Sequence, residues 1–163
     1  MEGDGATTEL DSDRMGSMLT RPMHKADFDE IVRVIDRWWG GPTASLAHPV
    51  FYYELGQVAR IVEHEGGMIG FLLGFITGDE PPVGYIHMIG IHPDYRRRHV
   101  GRKLYESFED SCRSAGCPRL KAMTAPGDTR SVDFHVALGW RWETVRDYAG
   151  PGRDRVVFTK QIG

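Results

Sequence analysis

The chain has 163 residues, a length that fits one domain. Hydrophobic residues make up 40% of it and charged residues 26%, an ordinary globular balance with enough apolar side chains for a core. No apolar run approaches the roughly 18 residues of a membrane helix, and the N-terminus lacks the order of a signal peptide. Two cysteines, Cys112 and Cys117, are too few for a disulfide framework. We therefore expect a cytoplasmic protein that does not bind a membrane.

The N-terminal segment differs in composition from the rest. Residues 1–17 hold five acidic side chains and one basic side chain, which gives them a net charge of −4 within a total of −3. The remainder therefore carries about +1. The segment shows no hydrophobic periodicity, so we expect a disordered tail, and residues 16–18 resemble an expression-vector junction. We expect a single domain over residues 18–163.

The first predicted elements are a strand and a helix. Residues 18–23 predict a strand that ends near Pro22. Asp27 and Glu30 predict a capping box, with Asp27 as the N-cap. The helix is predicted by apolar residues at helical spacing, namely Phe28, Ile31, Val32 and Ile35. The glycines and proline at 40–42 end this helix.

The later elements alternate strands with helices. Residues 43–59 predict a loop and a short helix around 50–58. Further elements are predicted as strands 59–64, 68–77 and 83–91, a helix 100–115, a strand 119–124, a short helix 131–138, and strands 142–146 and 155–161. This order predicts an α/β (mixed α+β) fold, with a mixed sheet and helices on its faces.

The strongest local feature extends from Ile89 to Tyr105. A buried strand ends, Pro93 forces a turn, a basic loop follows, and a helix begins near Val100. A helix N-terminus presents unpaired N–H groups and partial positive charge, so it binds phosphate. Five cations strengthen this prediction: Arg96, Arg97, Arg98, Arg102 and Lys103. The residues alone leave open the alternative of a solvated basic turn before an amphipathic helix.

This segment resembles the acetyl-CoA motif of the GNAT (general control-related N-acetyltransferase) superfamily of small bacterial-type acetyltransferases. In that motif, Val/Ile-x-Pro precedes Arg/Gln-x-x-Gly-x-Gly/Ala at the start of a helix. Arg96 matches the Arg/Gln position and Gly101 the last position, whereas His99 replaces the first glycine and crowds the phosphates. The small Gly101 lets a diphosphate approach the backbone. The resemblance implies contact with acetyl-CoA by Ile89, Gly90, Ile91, Arg96, Arg97, Arg98, His99, Val100, Gly101 and Arg102.

The resemblance also implies a fold, namely a splayed mixed sheet of six to seven strands flanked by about four helices. Acetyl-CoA would lie between two parting strands. Backbone groups of Ile89 and Ile91 would follow the pantetheine arm, and one N–H would face the thioester oxygen. Such a donor stabilises an oxyanion by about 3 kcal/mol.

A second motif begins at Asp128. It resembles the family's Asn-x-x-Ala/Ser-x-x-Phe-Tyr-x-x-x-Gly-Phe segment, with Asp128 for asparagine, Ser131 for alanine and His135 for tyrosine. The family's tyrosine hydroxyl points at the thioester sulfur and can protonate the departing thiolate. The resemblance therefore implies coenzyme contacts for Asp128, Ser131 and His135, and the role of general acid for His135. The alternative is a histidine that touches the coenzyme without transferring a proton.

The base that deprotonates the acceptor is less obvious from the sequence. An amine with a pKa near 10.4 must lose a proton before it attacks. Many relatives carry a glutamate on the central strand, but no acidic residue lies between Val83 and Ile91. We predict His87, or water held by His87 and Tyr85, on the assumption of an unbulged strand. The alternative is a half-buried histidine with a structural hydrogen bond.

Aromatic residues predict the acceptor site. The resemblance implies that the family's acceptor site is built by the segment that contains Trp38 and Trp39, together with Phe51, Tyr52, Tyr53 and Glu54. An aromatic wall there could hold a flat or cationic amine, although Trp38 fits the core face of its helix equally well. Tyr85 is also expected to contact the acceptor. The histidines show no spacing typical of a metal site, so no metal is expected. Cys112 and Cys117 are expected to pack in the core rather than to carry an acyl group.

The sequence therefore predicts an acetyl-CoA-dependent N-acetyltransferase (EC 2.3.1.-). The acceptor, a small molecule or a peptide, attacks directly in a ternary complex, and the protein is compatible with a homodimer. The competing hypothesis is a non-catalytic module on the same fold that senses acyl-CoA or binds nucleic acid. Nucleic acid is not expected, because residues 18–163 carry only about +1 and show no second basic stripe.

Overall fold

A computed structural model describes residues 17–163, which form one seven-stranded mixed sheet with helices on both faces. The expected class of fold, strand number and number of helices are confirmed. The expected N-terminal tail lies outside the described residues, apart from its last residue. The strands are β1 (Leu19–Pro22), β2 (Arg60–His64), β3 (Gly67–Ile76), β4 (Val83–Ile91), β5 (Arg119–Thr124), β6 (Arg141–Val145) and β7 (Arg155–Gln161). The helices are α1 (Lys25–Trp39), α2 (Val50–Tyr53), α3 (Val100–Ser114) and α4 (Thr129–Ala137), with short 3₁₀ turns at Ala44–Leu46, Gly56–Val58 and Pro93–Tyr95.

The strands lie in the order β1-β2-β3-β4-β5-β7-β6. All neighbours are antiparallel except β4 and β5, which are parallel and are connected through α3. The α3 crossover lies on one face of the sheet and α1 on the other, so the core has two layers. Buried side chains on the α3 side include Leu104 and Phe108, and those on the α1 side include Ile31 and Ile35.

The start of α1 corrects the predicted capping box. The helix begins at Lys25 with His24 as its N-cap, three residues earlier than the Asp27 N-cap predicts. The Asp27 carboxylate instead lies in the first turn, where it accepts a hydrogen bond from the His24 backbone N–H at 2.7 Å. It also accepts two hydrogen bonds from Arg21. A carboxylate can satisfy backbone N–H groups from either position, so the spacing alone could not distinguish them.

Both cysteines are buried and free, as expected for packing residues. Burial, the largest cause, raises the pKa of the Cys112 thiol to about 12, so a thiolate nucleophile is not present near neutral pH. A β-carbon at Gly84 would lie 2.4 Å from the Cys112 sulfur. The absence of a side chain at Gly84 therefore lets α3 approach β4 closely.

A β-bulge at His87 divides β4 into two halves. Leu73 pairs with Met88 and Gly74 pairs with Ile86, so His87 is an extra residue opposite β3. A bulge reverses the alternation of side chains between the two faces. The assumption of an unbulged strand is therefore wrong.

The two halves of β4 consequently present their side chains differently. Tyr85, before the bulge, packs against Phe75 with ring centroids 5.3 Å apart. Ile89 and Ile91, after the bulge, pack against the core on the α3 side. Tyr85 therefore does not share a face with Ile89 and Ile91.

The sheet splays beside the bulge. β4 and β5 pair only over Val83–Ile86 and Arg119–Ala122, and the two strands part beyond those residues. The expected parting of two strands is therefore present, and it begins where His87 interrupts the ladder to β3.

Candidate active site

A cavity of about 540 Å³ opens between the parted strands. Its floor comes from β4 and β5, one side from the end of α1, and the other from the starts of α3 and α4. The residues around it are Trp39, Thr43, Ile86, His87, Met88, Ile89, Ile91, Arg96, Gly101, Tyr105, Ala122, Met123, Thr124, Asp128, Arg130, Ser131 and Phe134. A second cavity, of about 430 Å³, shares Ile91, Arg96, Gly101 and Phe134 with the first. Together they form one groove across the beginning of α3.

The loop before α3 turns its backbone toward this groove. Arg97 has φ 60° and His99, the N-cap of α3, has φ 61°. A left-handed backbone conformation costs a non-glycine residue about 1–2 kcal/mol. This cost explains why the motif that this segment resembles has glycine at the position of His99. The first amides of a helix have no partner within it. The chain thus accepts backbone strain here, next to unpaired N–H groups at the edge of the groove.

Gly101 leaves the groove open at the first turn of α3. A β-carbon at this position would lie 3.1 Å from a ring carbon of Phe134 and 3.9 Å from Ile89. A side chain would therefore fill space between α3 and α4. The open backbone, the helix N-terminus and the adjacent arginines fit a diphosphate group.

The four arginines predicted to bind coenzyme lie in different places. Arg96 borders both cavities, and its guanidinium donates to the Trp38 carbonyl. Arg97 and Arg102 border the second cavity, together with His99 and Val100. Arg98 lies over the Tyr95 ring, 5.3 Å from its centroid, and borders neither cavity. Arg130, which neither motif predicts as a site residue, borders the first cavity.

The backbone of β4 after the bulge is only partly available. The Ile89 carbonyl accepts a hydrogen bond from the Trp39 indole at 3.2 Å. Gly90 points away from the groove, because a β-carbon there would lie 2.2 Å from Phe71 on the α1 side. Gly90 borders neither cavity and serves close packing between strands and α1.

The two adjacent tryptophans have different environments. Trp38 is 4% exposed and stacks on Phe71, so it belongs to the core. Trp39 is 41% exposed and borders the first cavity. Tyr85 borders neither cavity, and burial raises the pKa of its hydroxyl. Of the three residues predicted to bind the acceptor, Trp39 alone reaches the cavity between β4 and β5.

His87 borders the cavity and has one defined hydrogen bond. Its Nε2 donates to the Leu46 carbonyl at 2.7 Å, and its ring stacks on Phe51 at 3.8 Å between centroids. A carbonyl only accepts, so the neutral ring carries its proton on Nε2 and its lone pair on Nδ1. Burial, the largest cause, lowers the pKa of His87 despite this bond. His87 is therefore neutral at pH 7.

His135 lies in the core and is only 5% exposed. Its Nδ1 donates to the Ser131 carbonyl at 2.7 Å, and its Nε2 accepts from the Tyr105 hydroxyl at 2.9 Å. The ring stacks on Phe158 at 3.8 Å between centroids, and burial lowers the pKa of the imidazole. Both ring nitrogens thus have partners inside the protein, and the ring borders neither cavity. Tyr105, its partner on α3, does border the first cavity.

The start of the second motif does lie at the groove. Asp128 is the N-cap of α4, and its carboxylate accepts from the Ser131 N–H at 3.1 Å and from the Thr124 hydroxyl at 2.8 Å. All three residues border the first cavity. Asp128 therefore ties the end of β5 to the start of α4 beside the gap in the sheet.

Two further observations concern the described residues. Among residues 17–163, no three His, Cys, Asp or Glu side chains come together as a metal site would require. Within the same residues, no helix is both long enough and apolar enough to cross a membrane.

Comparison with known proteins identifies the family to which this chain belongs. Residues 14–140 match the Acetyltransferase (GNAT) family, and this match covers more than half of the chain. The chain belongs to the GNAT acetyltransferase family. This GNAT protein is therefore an acetyltransferase of class EC 2.3.1.- whose acyl donor is acetyl-CoA, and a non-catalytic module is not favoured.

Two relatives illustrate the range of sequence similarity. L-2,4-diaminobutyric acid acetyltransferase of Nocardia farcinica is 24% identical over 131 residues, which cover 80% of this chain and 68% of that protein. An acetyltransferase of Sodalis glossinidius is 25% identical over 131 residues, covering 77% of this chain and 89% of that one.

Solved structures share the fold at low sequence identity. The ribosomal-protein-S18-alanine N-acetyltransferase from Escherichia coli has a TM-score of 0.72 at 18% identity, covering 90% of this chain and 95% of that one. A putative acetyltransferase from Salmonella typhimurium, solved with acetyl-CoA, has a TM-score of 0.69 at 15% identity, covering 91% and 95%.

Proposed function

We propose that this GNAT protein acetylates the amine of a small molecule or peptide by direct attack in a ternary complex. The observation that carries the proposal is the continuous groove from the gap between β4 and β5 to the side-chain-free first turn of α3 at Gly101. Acetyl-CoA supplies the activated acetyl group as a thioester. Arg96, Arg97 and the first amides of α3 would hold its diphosphate.

The acceptor would enter beside Trp39, Thr43 and His87, which border the end of the first cavity near α1. The relatives act on different amines: one is named for L-2,4-diaminobutyric acid, and another for the alanine of ribosomal protein S18. Both substrates present a primary amine, and this shared group is what we assign to the acceptor of this protein. The expected cytoplasmic location stays a prediction.

His87 is the proposed general base. Its Nδ1 has no hydrogen-bond partner among residues 17–163, and the bond from Nε2 to Leu46 fixes the tautomer that leaves Nδ1 able to accept a proton. The lowered pKa keeps the ring neutral and ready to accept at pH 7. A backbone N–H of β4 facing the gap would donate to the developing oxyanion.

The acid role of His135 is untested, and the hydrogen bonds that both ring nitrogens make within the core argue against it. His135→Phe tests it. Phenylalanine keeps an aromatic ring on Phe158 but leaves the Tyr105 hydroxyl without its acceptor. We expect a loss of about 1–3 kcal/mol in the free energy of unfolding, because a buried polar group becomes unpaired. Since both nitrogens are bonded within the core, kcat per folded molecule should change less than threefold. A fall in kcat of about 100-fold without loss of stability would instead establish the acid role.

The function itself is tested by binding and turnover. Calorimetry should detect acetyl-CoA and CoA with comparable affinity, because the proposed contacts are to the diphosphate that both share. Release of free thiol should then depend on an added primary amine, tested with amino acids, diamines and short peptides. Binding of neither coenzyme at millimolar concentration would contradict the proposal, and binding without amine-dependent thiol release would favour a sensor.

A further inference from the structure

The strand β6 forms an open edge of the sheet. It pairs with β7 on one side only, and its first four residues are all exposed. Trp142, in the middle of the strand, is 50% exposed. An edge strand presents a row of backbone N–H and C=O groups that can pair with another chain.

The opposite edge of the sheet, β1, is less suited to pairing with another chain. Pro22 lacks an N–H group, and β1 is only four residues long. Arg21 is also engaged inside the chain, by Asp27 and Glu63. β6 contains no proline, and its charged side chains lack such partners. The β6 edge is therefore more available than the β1 edge for pairing with a strand of another chain.

The charges of β6 flank Trp142 symmetrically. Arg141 precedes it and Glu143 follows it, and neither makes an ion pair or a side-chain hydrogen bond within residues 17–163. Side chains alternate along a strand, so Arg141 and Glu143 project on one face and Trp142 on the other. We propose that two copies of this chain pair antiparallel through β6, about a two-fold axis at Trp142.

The sequence of β6 complements itself in this register and in no adjacent one. With the axis at Trp142, Arg141 of each copy faces Glu143 of the other, and the two Trp142 side chains face each other. Opposite charges and aromatic pairs across strands stabilise a sheet. An axis at Arg141 or at Glu143 would instead place like charges opposite each other. The dimer is an isologous one in which seven strands from each copy form one continuous sheet.

Charge reversal tests both the surface and the register. Wild-type protein should sediment with a mass near twice the 18.4 kDa of the chain. Arg141→Glu alone and Glu143→Arg alone should each sediment as monomers, because each places like charges opposite each other. The double variant should dimerise again. An equimolar mixture of the two single variants should also dimerise, because every facing pair then has opposite charges.

Arg146→Glu is the matched control, since it makes the same change of charge just beyond the strand, at a side chain that is 90% exposed. It should leave the dimer intact. No residue of β6 borders the two cavities, so all variants should bind acetyl-CoA as the wild type does. In wild-type protein, amide exchange at residues 141–144 should slow as the concentration rises. A monomeric wild type, single variants that remain dimeric, or exchange independent of concentration would overturn the proposal.

Discussion

Replacing His87 with glutamine is expected to lower kcat about 100-fold or more. General base catalysis typically contributes about 10²–10⁴-fold, and glutamine has no nitrogen that accepts a proton in this pH range. The variant is conservative, because the glutamine amide can still donate to the Leu46 carbonyl that now fixes the imidazole. The affinity for acetyl-CoA should change little, since His87 lies in the half of the groove farther from the start of α3.

The pH dependence sharpens this test. Burial lowers the pKa of His87, so the neutral base should persist below the ordinary histidine pKa of about 6.5. With wild-type enzyme, kcat/KM should therefore fall only at pH values below that range. In the His87→Gln variant, this fall in kcat/KM at low pH (the acidic limb of the profile) should be absent. His48→Gln is the matched control, because His48 lies in the same connection as Leu46 without bordering the groove. A fall in kcat under threefold with the limb unchanged would assign the base to another group.

Gly101→Val should raise the KM for acetyl-CoA about tenfold to a hundredfold. The new side chain would occupy the first turn of α3, where the diphosphate is proposed to bind, and its β-carbon would meet Phe134 at 3.1 Å. A loss of about 1.4 kcal/mol in binding free energy corresponds to a tenfold loss of affinity, and about twice that to a hundredfold loss. Overpacking against Phe134 separately costs about 1–3 kcal/mol in folding stability. Because Phe134 must move, we also expect a fall of a few degrees in Tm. Initial rates over a range of acetyl-CoA concentrations measure the first effect.

Two variants separate crowding from a general effect of valine. Gly78→Val should change neither KM nor Tm appreciably, since a β-carbon at Gly78 has nothing within 4 Å. Gly101→Ala should lie between the wild type and Gly101→Val, because its single methyl group presses on Phe134 without reaching farther into the groove. An unchanged KM in Gly101→Val would place the diphosphate elsewhere.

The order of the elements could be predicted because turns and helix ends have local signals. Gly40 and Gly116 both adopt the left-handed backbone that ends a helix, and the strand Val83–Ile91 has the bounds that its apolar run indicates. The bulge at His87 has no such signal. Nearly every residue of β4 is apolar or glycine. The strand therefore lacks the alternation of polar and apolar residues that would show where its side chains change faces.

The site was harder to predict, because packing decides which way a side chain points. Trp38 and Trp39 are adjacent on a helix, and the sequence could not tell which one faces Phe71. The motif places His135 on α4 correctly, but Phe158 and Tyr105 come from distant parts of the chain and hold its ring in the core. Tyr105 and Arg130 carry no signal in either motif, and they reach the cavity only because the sheet parts beside them.

The short ladder between β4 and β5 has a mechanical consequence. Strand pairing joins the half-sheet β1–β4 to the half-sheet β5–β7 over only four residues on each strand, and the core on the α3 side completes the junction. A molecule bound in the gap would contact Met88 on one half and Met123 on the other, because both residues border the cavity. Its binding energy would oppose the separation of the halves as well as its own release. The two half-sheets would therefore move least relative to each other when a ligand is bound. A substitution that widens the gap would lower both the affinity for the ligand and the stability of the junction between the half-sheets.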